Sequence, residues 1–132
     1  MKVRIKISRD IKKYFDQYGS LSYCVNRLLR SMDDVWVGYP IKACLEDDKS
    51  ICWTTVDINS SVYDALREMY GTRSTVISVS RLLSYAYSVD FCHNWTKDLS
   101  VSKALEAASK LSKDKLLELI NILKERYDEQ KN

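Results

Sequence analysis

The chain has 132 residues, of which 45% are hydrophobic and 30% charged, and its net charge is +3. This length is enough for one compact core, or for a small core with an appendage. Three glycines and one proline leave little room for flexible linkers. No apolar run approaches the length of a membrane span, and the charged first residues do not form a signal peptide. We therefore expect a cytoplasmic protein that makes no membrane contact.

The cysteines and the single histidine give little support for catalysis or metal binding. Cys44, Cys52, Cys92 and His93 would be the ligands of a zinc site, but they lack the closely spaced ligand pairs typical of one. The sequence motifs of phosphate-loop enzymes, dinucleotide-binding enzymes, zinc proteases and serine hydrolases are absent. We expect reduced thiols and a protein that is not an enzyme and binds neither metal nor cofactor.

The first predicted element is a strand over residues 2–7, in which cations alternate with β-branched residues. Successive side chains of a strand point to opposite faces. The inward positions are Val3, Ile5 and Ile7, and the outward positions are Lys2, Arg4 and Lys6. A row of cations on an apolar backing suits the major groove of duplex DNA. Lysines that protect an edge strand from aggregation give the same pattern, and the strand alone does not decide between these interpretations.

Two short helices are predicted after this strand. Ile11, Phe15 and Tyr18 recur at helical spacing until Gly19, a residue on which helices often end. Residues 20–22, Ser-Leu-Ser, then offer N-cap hydroxyls for a second helix. The apolar positions of that helix are Cys24, Val25, Leu28, Leu29 and Met32.

The order strand, helix, turn, helix over residues 2–32 resembles the ribbon-helix-helix family of DNA-binding proteins, the family of the Arc and methionine repressors. The outward cations, the YG-SLS turn and the YCVNRLL helix carry the resemblance. It implies that two strands from two units pair antiparallel and enter the major groove, while the second helices form the dimer core. It also implies that backbone amides of Ser20, Leu21 and Ser22 anchor a phosphate at a helix N-terminus.

The chain itself offers a second, diverged unit. Residues 53–58 repeat the strand at a constant offset, with Asn59 in the position of Ser8. Its inward positions are Thr54, Val56 and Ile58, and its outward positions are Trp53, Thr55 and Asp57. Trp53 and Asp57 are suited to contact a thymine methyl and a cytosine amino group, which would give an asymmetric reader of DNA. The alternative is that the second strand only completes the fold.

The repeat continues beyond the second strand. Val62, Leu66 and Met69 match Ile11, Phe15 and Tyr18 in spacing, and Tyr70-Gly71 matches Tyr18-Gly19. Thr72, Arg73 and Ser74 take the place of the Ser-Leu-Ser turn and are the predicted second phosphate anchor. Arg81-Leu82-Leu83 echoes Arg27-Leu28-Leu29 after a slip in register. These matches predict a mainly α fold with a short two-stranded antiparallel β ribbon, built as a tandem ribbon-helix-helix pseudo-dimer plus C-terminal helices.

The predicted domains are a first unit over residues 1–32, a connecting segment over 33–51, a diverged second unit over 52–92 and a helical extension over 93–132. The connecting segment is too apolar for a disordered linker, so we expect it to pack over the core. Alternatively, Trp36 and Tyr39 anchor another protein.

The extension shows two amphipathic helical patterns. The first has a stripe of Ala104, Leu105 and Ala108, and the second begins after Ser112. The apolar face of the second consists of Leu116, Leu119, Ile120 and Leu123. The core, a second copy of the chain or a protein partner must cover this face.

Charge is distributed unevenly, and this favours one DNA-facing edge. Residues 1–30 hold eight Lys or Arg against two Asp, whereas residues 31–60 hold two Lys against six acidic residues. Basic residues gathered on the first unit are what phosphate neutralisation requires. The sequence thus predicts a sequence-specific binder of double-stranded DNA, a transcriptional repressor. The alternative is a protein-binding module on the same frame, such as an antitoxin or an inhibitor of a host factor.

Overall fold

The computed structural model describes residues 1–32, 36 and 51–131, and of residues 70–75 and 131 only the backbone. The elements in chain order are β1 Lys2–Ser8, α1 Arg9–Asp16, α2 Leu21–Ser31, β2 Ile51–Asp57, α3 Ser60–Ser88, a 3₁₀ helix Phe91–Asn94, α4 Leu99–Ser109 and α5 Lys113–Lys131. The prediction of a mainly helical protein with a short two-stranded antiparallel sheet is confirmed. In the part of the chain that is described, no helix is long and apolar enough to cross a membrane.

The sheet consists of β1 and β2, which pair antiparallel along their whole length. Ile5 lies opposite Thr54, Val3 opposite Val56, and Ile7 opposite Cys52. Val3, Ile5, Ile7 and Val56 are buried, so the inward face predicted from alternation is the one that meets the helices. Thr54, which was predicted to point inward, is half-buried.

The first unit folds as its sequence predicts. The Ser8 hydroxyl caps α1 by accepting from the amide of Asp10 at 3.3 Å, and the Ser20 hydroxyl caps α2 by accepting from Tyr23 at 3.1 Å. Gly19 separates the helices with a φ of +141°, a conformation that L side chains rarely adopt. The tight turn between α1 and α2 therefore depends on glycine at this position.

The second unit departs from the predicted repeat, because α3 runs without a break from Ser60 to Ser88. The prediction of a turn at Gly71 and Thr72–Ser74 is wrong, since those residues lie in the interior of this helix. A glycine within a helix costs only about 0.5–1 kcal/mol relative to alanine, and no proline reinforces the break. Buried apolar residues on both sides of Gly71 stabilise the continuous helix instead.

The core lies between the inward face of the ribbon and helices α1, α2 and α3. Its largest fully buried side chains include Phe15, Ile5, Leu28, Leu82 and Leu83. Met69, expected to match the buried Tyr18, is 62% exposed, and Tyr63 is buried in this part of α3. Leu66 is buried and Val62 packs against the core, as the repeat predicts, so the core face of α3 departs from the predicted row at Met69 and Tyr63.

Serines of α3 let this helix approach β1 closely. Ser78, Ser80 and Ser84 are buried. The Ser80 hydroxyl donates to the carbonyl oxygen of Lys6 at 3.0 Å, and the Ser84 hydroxyl donates to the carbonyl oxygen of Ser80 at 2.8 Å. These small side chains satisfy buried polar groups where a larger residue would separate helix and strand.

Trp36 is the one described residue between 33 and 50. It belongs to the core and is only 4% exposed. A side chain buried to this degree is not available as an anchor on a free surface, so the predicted partner role of Trp36 is wrong. A large apolar ring gains more free energy from packing in the core than from exposure to water. Tyr39, its predicted companion, lies outside the described residues.

The 3₁₀ segment is fixed to α1 and α2 by side-chain contacts. The Tyr14 hydroxyl donates to the Asp90 carboxylate at 2.6 Å and accepts from the amide of Cys92 at 3.1 Å, and burial raises the Tyr14 pKa. The guanidinium of Arg27 stacks 3.9 Å from the ring centre of Trp95. These contacts position the chain at the start of α4.

Candidate nucleic-acid interface

The six side chains predicted to reach DNA bases lie together on the outer face of the ribbon. Directly opposed residues of an antiparallel pair share a face, and the register sets Lys2 opposite Asp57, Arg4 opposite Thr55, and Lys6 opposite Trp53. All are exposed except Lys6, which is half-buried. The opposite face packs on the core, so the ribbon presents one row of polar and aromatic groups to solvent.

Trp53 orders the cations of this face. Its ring is 57% exposed, with the Arg4 guanidinium carbon 5.1 Å and the Lys6 ammonium nitrogen 5.9 Å from its centre. Both distances are within the range of cation–π attraction, worth about 0.5–1 kcal/mol at an exposed site. The indole on β2 therefore restrains two flexible cations of the neighbouring strand, Lys6 directly opposite and Arg4 on the diagonal.

Asp57 is the acidic member of the face, and it has a positive partner. One carboxylate oxygen lies 3.1 Å from the ammonium group of Met1, and the same ammonium donates to the carbonyl oxygen of Ile58 at 2.9 Å. Pairing with an ammonium reduces the repulsion between Asp57 and an approaching phosphate. The pair is well exposed, so its attraction is screened by salt.

The turn before α2 is tied to the end of β2. The Ser22 hydroxyl accepts from the amide of Asp57 at 2.8 Å. The Asn26 side chain donates to the carbonyl oxygen of Asp57 and accepts from the amide of Asn59, both at 2.9 Å. The N-terminus of α2 is thereby fixed at one end of the ribbon face.

The first predicted phosphate anchor has the geometry expected of it. Ser20 is the N-cap of α2, and Leu21 and Ser22 are its first helical residues. The first amides of a helix have no partner within the helix and carry its positive dipole end. The Leu21 side chain is buried, which leaves the backbone as the group this residue can offer.

The second predicted anchor does not have this geometry. Thr72, Arg73 and Ser74 lie in the interior of α3, where amides donate to carbonyl oxygens of the preceding turn. Their backbone therefore cannot cradle a phosphate, and that part of the prediction is wrong. Among the described residues, a helix N-terminus with the geometry predicted for a phosphate anchor therefore lies at one end of the ribbon, where α2 begins.

Two residues that matter to this site were missed by the sequence reasoning. Asn26 gave a weak signal, as a polar residue inside the otherwise apolar YCVNRLL helix. Glu106 gave none, because its partner Ser20 is 86 residues away: the Ser20 hydroxyl donates to the Glu106 carboxylate. A contact between a remote helix and the α2 N-terminus cannot be read from local patterns.

Comparison of the chain with protein-family models, curated proteins and solved structures gave no match. Within residues 1–32, 36 and 51–131, no group of three or more His, Cys, Asp or Glu is placed to hold a metal ion. The functional conclusion therefore depends on the geometry of the ribbon face and of the α2 N-terminus.

Proposed function

We propose that the chain is a sequence-specific double-stranded DNA-binding protein, a transcriptional repressor of the cytoplasm and nucleoid, that inserts its β1–β2 ribbon into the major groove. The observation that carries the proposal is the strand register, which gathers three cations, an indole, a hydroxyl and a carboxylate on one exposed face. A two-stranded ribbon fits a major groove about 12 Å wide. Arg and Lys there donate to guanine edges and to phosphates.

A tandem ribbon-helix-helix pseudo-dimer accounts for the arrangement of the two strands. Arg4 and Thr55 occupy equivalent positions of the repeat and lie opposite each other. On either side, Lys2 faces Asp57 and Lys6 faces Trp53, as a local two-fold axis through the central pair requires. Ser8 and Asn59 are also equivalent, and each is the N-cap of the helix that follows its strand.

The proposed reader is asymmetric. One half of its outer face is basic and the other carries Trp53, Thr55 and Asp57. One end of the ribbon has the α2 N-terminus, whereas α3 continues through the equivalent turn. We expect a non-palindromic binding site, with more phosphate contacts on the side of α2.

A selection of duplexes from a random DNA pool tests this function, followed by a salt titration of the selected duplex against an unselected one. The proposal predicts enrichment of a defined motif and an affinity for it that persists at near-physiological salt. No enrichment, together with weak binding that disappears as salt rises, would mean general phosphate attraction and would contradict the proposal.

A protein-binding module is the second candidate, and the exposed side chains of α5 favour it. Leu117, Ile120 and Leu123 are all more than half exposed on this helix. An apolar helix face in water is the usual form of a surface for a partner helix or a second copy. If a protein partner binds this face, replacing Leu117, Ile120 and Leu123 by Gln should abolish that binding. If a second copy binds it, the same change should lower the mass of the protein particle in solution. Substitutions on the ribbon should leave partner binding and mass unchanged.

A further inference from the structure

Helix α4 packs against the rest of the chain with its polar side. Ser102 is only 2% exposed, and its hydroxyl donates to the carbonyl oxygen of Thr96 at 3.2 Å. Glu106, one turn later, contacts Ser20 at the start of α2. Leu99, Val101 and Leu105 are exposed on other sides of the same helix. At this contact α4 meets the first unit through a carboxylate, whereas helices usually pack through an apolar stripe.

The Glu106 carboxylate lies at the positive end of α2. The Ser20 hydroxyl, which also caps the helix, donates to one of its oxygens. The first turn of α2 has no acidic residue of its own. Because a helix N-terminus favours negative charge, Glu106 supplies from a distant part of the chain the charge that this end attracts.

A cleft joins this contact to the end of the ribbon. Its volume is about 820 Å³, and its walls include Met1 and Asp57 at the ribbon end, Ser20 and Ser22 of the turn, and Glu106. Arg30 and Lys110 add positive charge to the walls. In the proposed complex, a DNA backbone that runs from the ribbon to the α2 N-terminus would pass this cleft and meet the Glu106 carboxylate.

We propose that Glu106 is an internal competitor of the DNA phosphate, so that α4 autoinhibits DNA binding by occupying the phosphate anchor at the start of α2. The inference rests on the proposed DNA-binding function and adds its regulation. A phosphate anchored at the start of α2 would compete with the Glu106 carboxylate for the Ser20 hydroxyl and for the positive end of the helix dipole. Full binding requires Glu106 to leave, and a change that draws α4 away from α2 strengthens it.

The test compares Glu106→Gln with Glu118→Gln in the full-length protein. Both changes remove one negative charge, but Glu118 lies exposed on α5. The affinity for the selected duplex is measured by fluorescence anisotropy over a range of salt concentrations. The inference predicts that Glu106→Gln binds about five- to tenfold more tightly than the unchanged protein and that Glu118→Gln binds within about twofold of it. For Glu106→Gln alone, the slope of log affinity against log salt concentration should also become steeper, by the equivalent of about one phosphate contact.

Equal gains for the two variants would assign the effect to overall charge and overturn the autoinhibition. An unchanged or weaker affinity for Glu106→Gln, with circular dichroism showing an intact fold, would overturn it as well. In both cases the unchanged protein still binds its duplex, so the proposed function stands. If none of the three proteins binds any duplex at low salt, the proposed function itself fails and the inference with it.

Discussion

At the scale of single residues, the ribbon is held to the helices by a few polar side chains. Asn26 is the clearest case, because its amide bridges the carbonyl oxygen of Asp57 and the amide of Asn59. A side chain that satisfies two backbone groups from another element fixes the position of that element. Since Asp57 belongs to the exposed face, Asn26 affects both the stability of the fold and the shape of the proposed reader.

Replacing Asn26 by Ala should lower the free energy of unfolding by about 1–3 kcal/mol, because backbone groups of Asp57 and Asn59 lose their partner. Urea denaturation followed by circular dichroism measures the change. Asn121→Ala is the matched control, since Asn121 lies exposed on α5 and gains the same helix propensity. We expect the control to stay within about 0.5 kcal/mol of the unchanged protein. Equal effects of the two substitutions would contradict the bridging role.

The cysteines should differ sharply in reactivity. Burial raises the pKa of the Cys24 and Cys92 thiols to about 12, whereas Cys52 is half-buried on β2. The thiolate is the reactive form, so raised pKa values and burial both slow the reaction. In a Cys44→Ser variant treated with an aromatic disulfide reagent at pH 8, one thiol should react fast and two at least about a hundredfold more slowly. Three equal rates would contradict the burial of Cys24 and Cys92.

At the scale of elements, the two units of the repeat differ in how they use glycine. Gly19 has a φ of +141° between α1 and α2, whereas Gly71 lies within α3. The sequence pairs Tyr-Gly with Tyr-Gly and so predicts a turn at both places. Local patterns predicted β1, α1, α2 and β2 well, because alternation, caps and apolar spacing agree there. They did not predict the continuity of α3, which depends on how residues on both sides of Gly71 pack in the core.

Alanine at the two glycines should therefore have effects of opposite sign. Gly19→Ala forces a side chain into a positive φ and places a Cβ 3.0 Å from the ring of Tyr23, so it should lower the free energy of unfolding by more than about 1 kcal/mol. Gly71→Ala should raise the free energy of unfolding by about 0.5–1 kcal/mol, as for a glycine in a helix. Thermal or urea unfolding compares the two variants. A loss of stability at Gly71 comparable to that at Gly19 would contradict the continuous helix.

At the scale of the whole molecule, a small core supports two surfaces of different character. One surface consists of the ribbon face and the α2 N-terminus, and the other is formed by α4 and α5, most of whose apolar side chains are exposed. Alternation predicted the outward residues of the ribbon, and helical spacing predicted two helices after residue 98, because both are local signals. The sequence did not indicate that α4 returns to Ser20, since no periodic pattern encodes a contact between distant segments.

The central claim is that the ribbon face binds DNA, and two triple variants test it most directly. One replaces Lys2, Arg4 and Lys6 by Gln, and the control replaces Lys113, Lys115 and Lys124 of α5. Both sets remove three positive charges, and circular dichroism verifies that both variants stay folded. The measurement is the affinity of each for the selected duplex.

The account predicts that the ribbon variant loses at least about a hundredfold in affinity, because base contacts and phosphate contacts disappear together. The α5 variant should lose no more than a few-fold, through the weaker general field of the protein. Equal losses in two folded variants would contradict the account, since they would mean attraction to phosphates by charge alone.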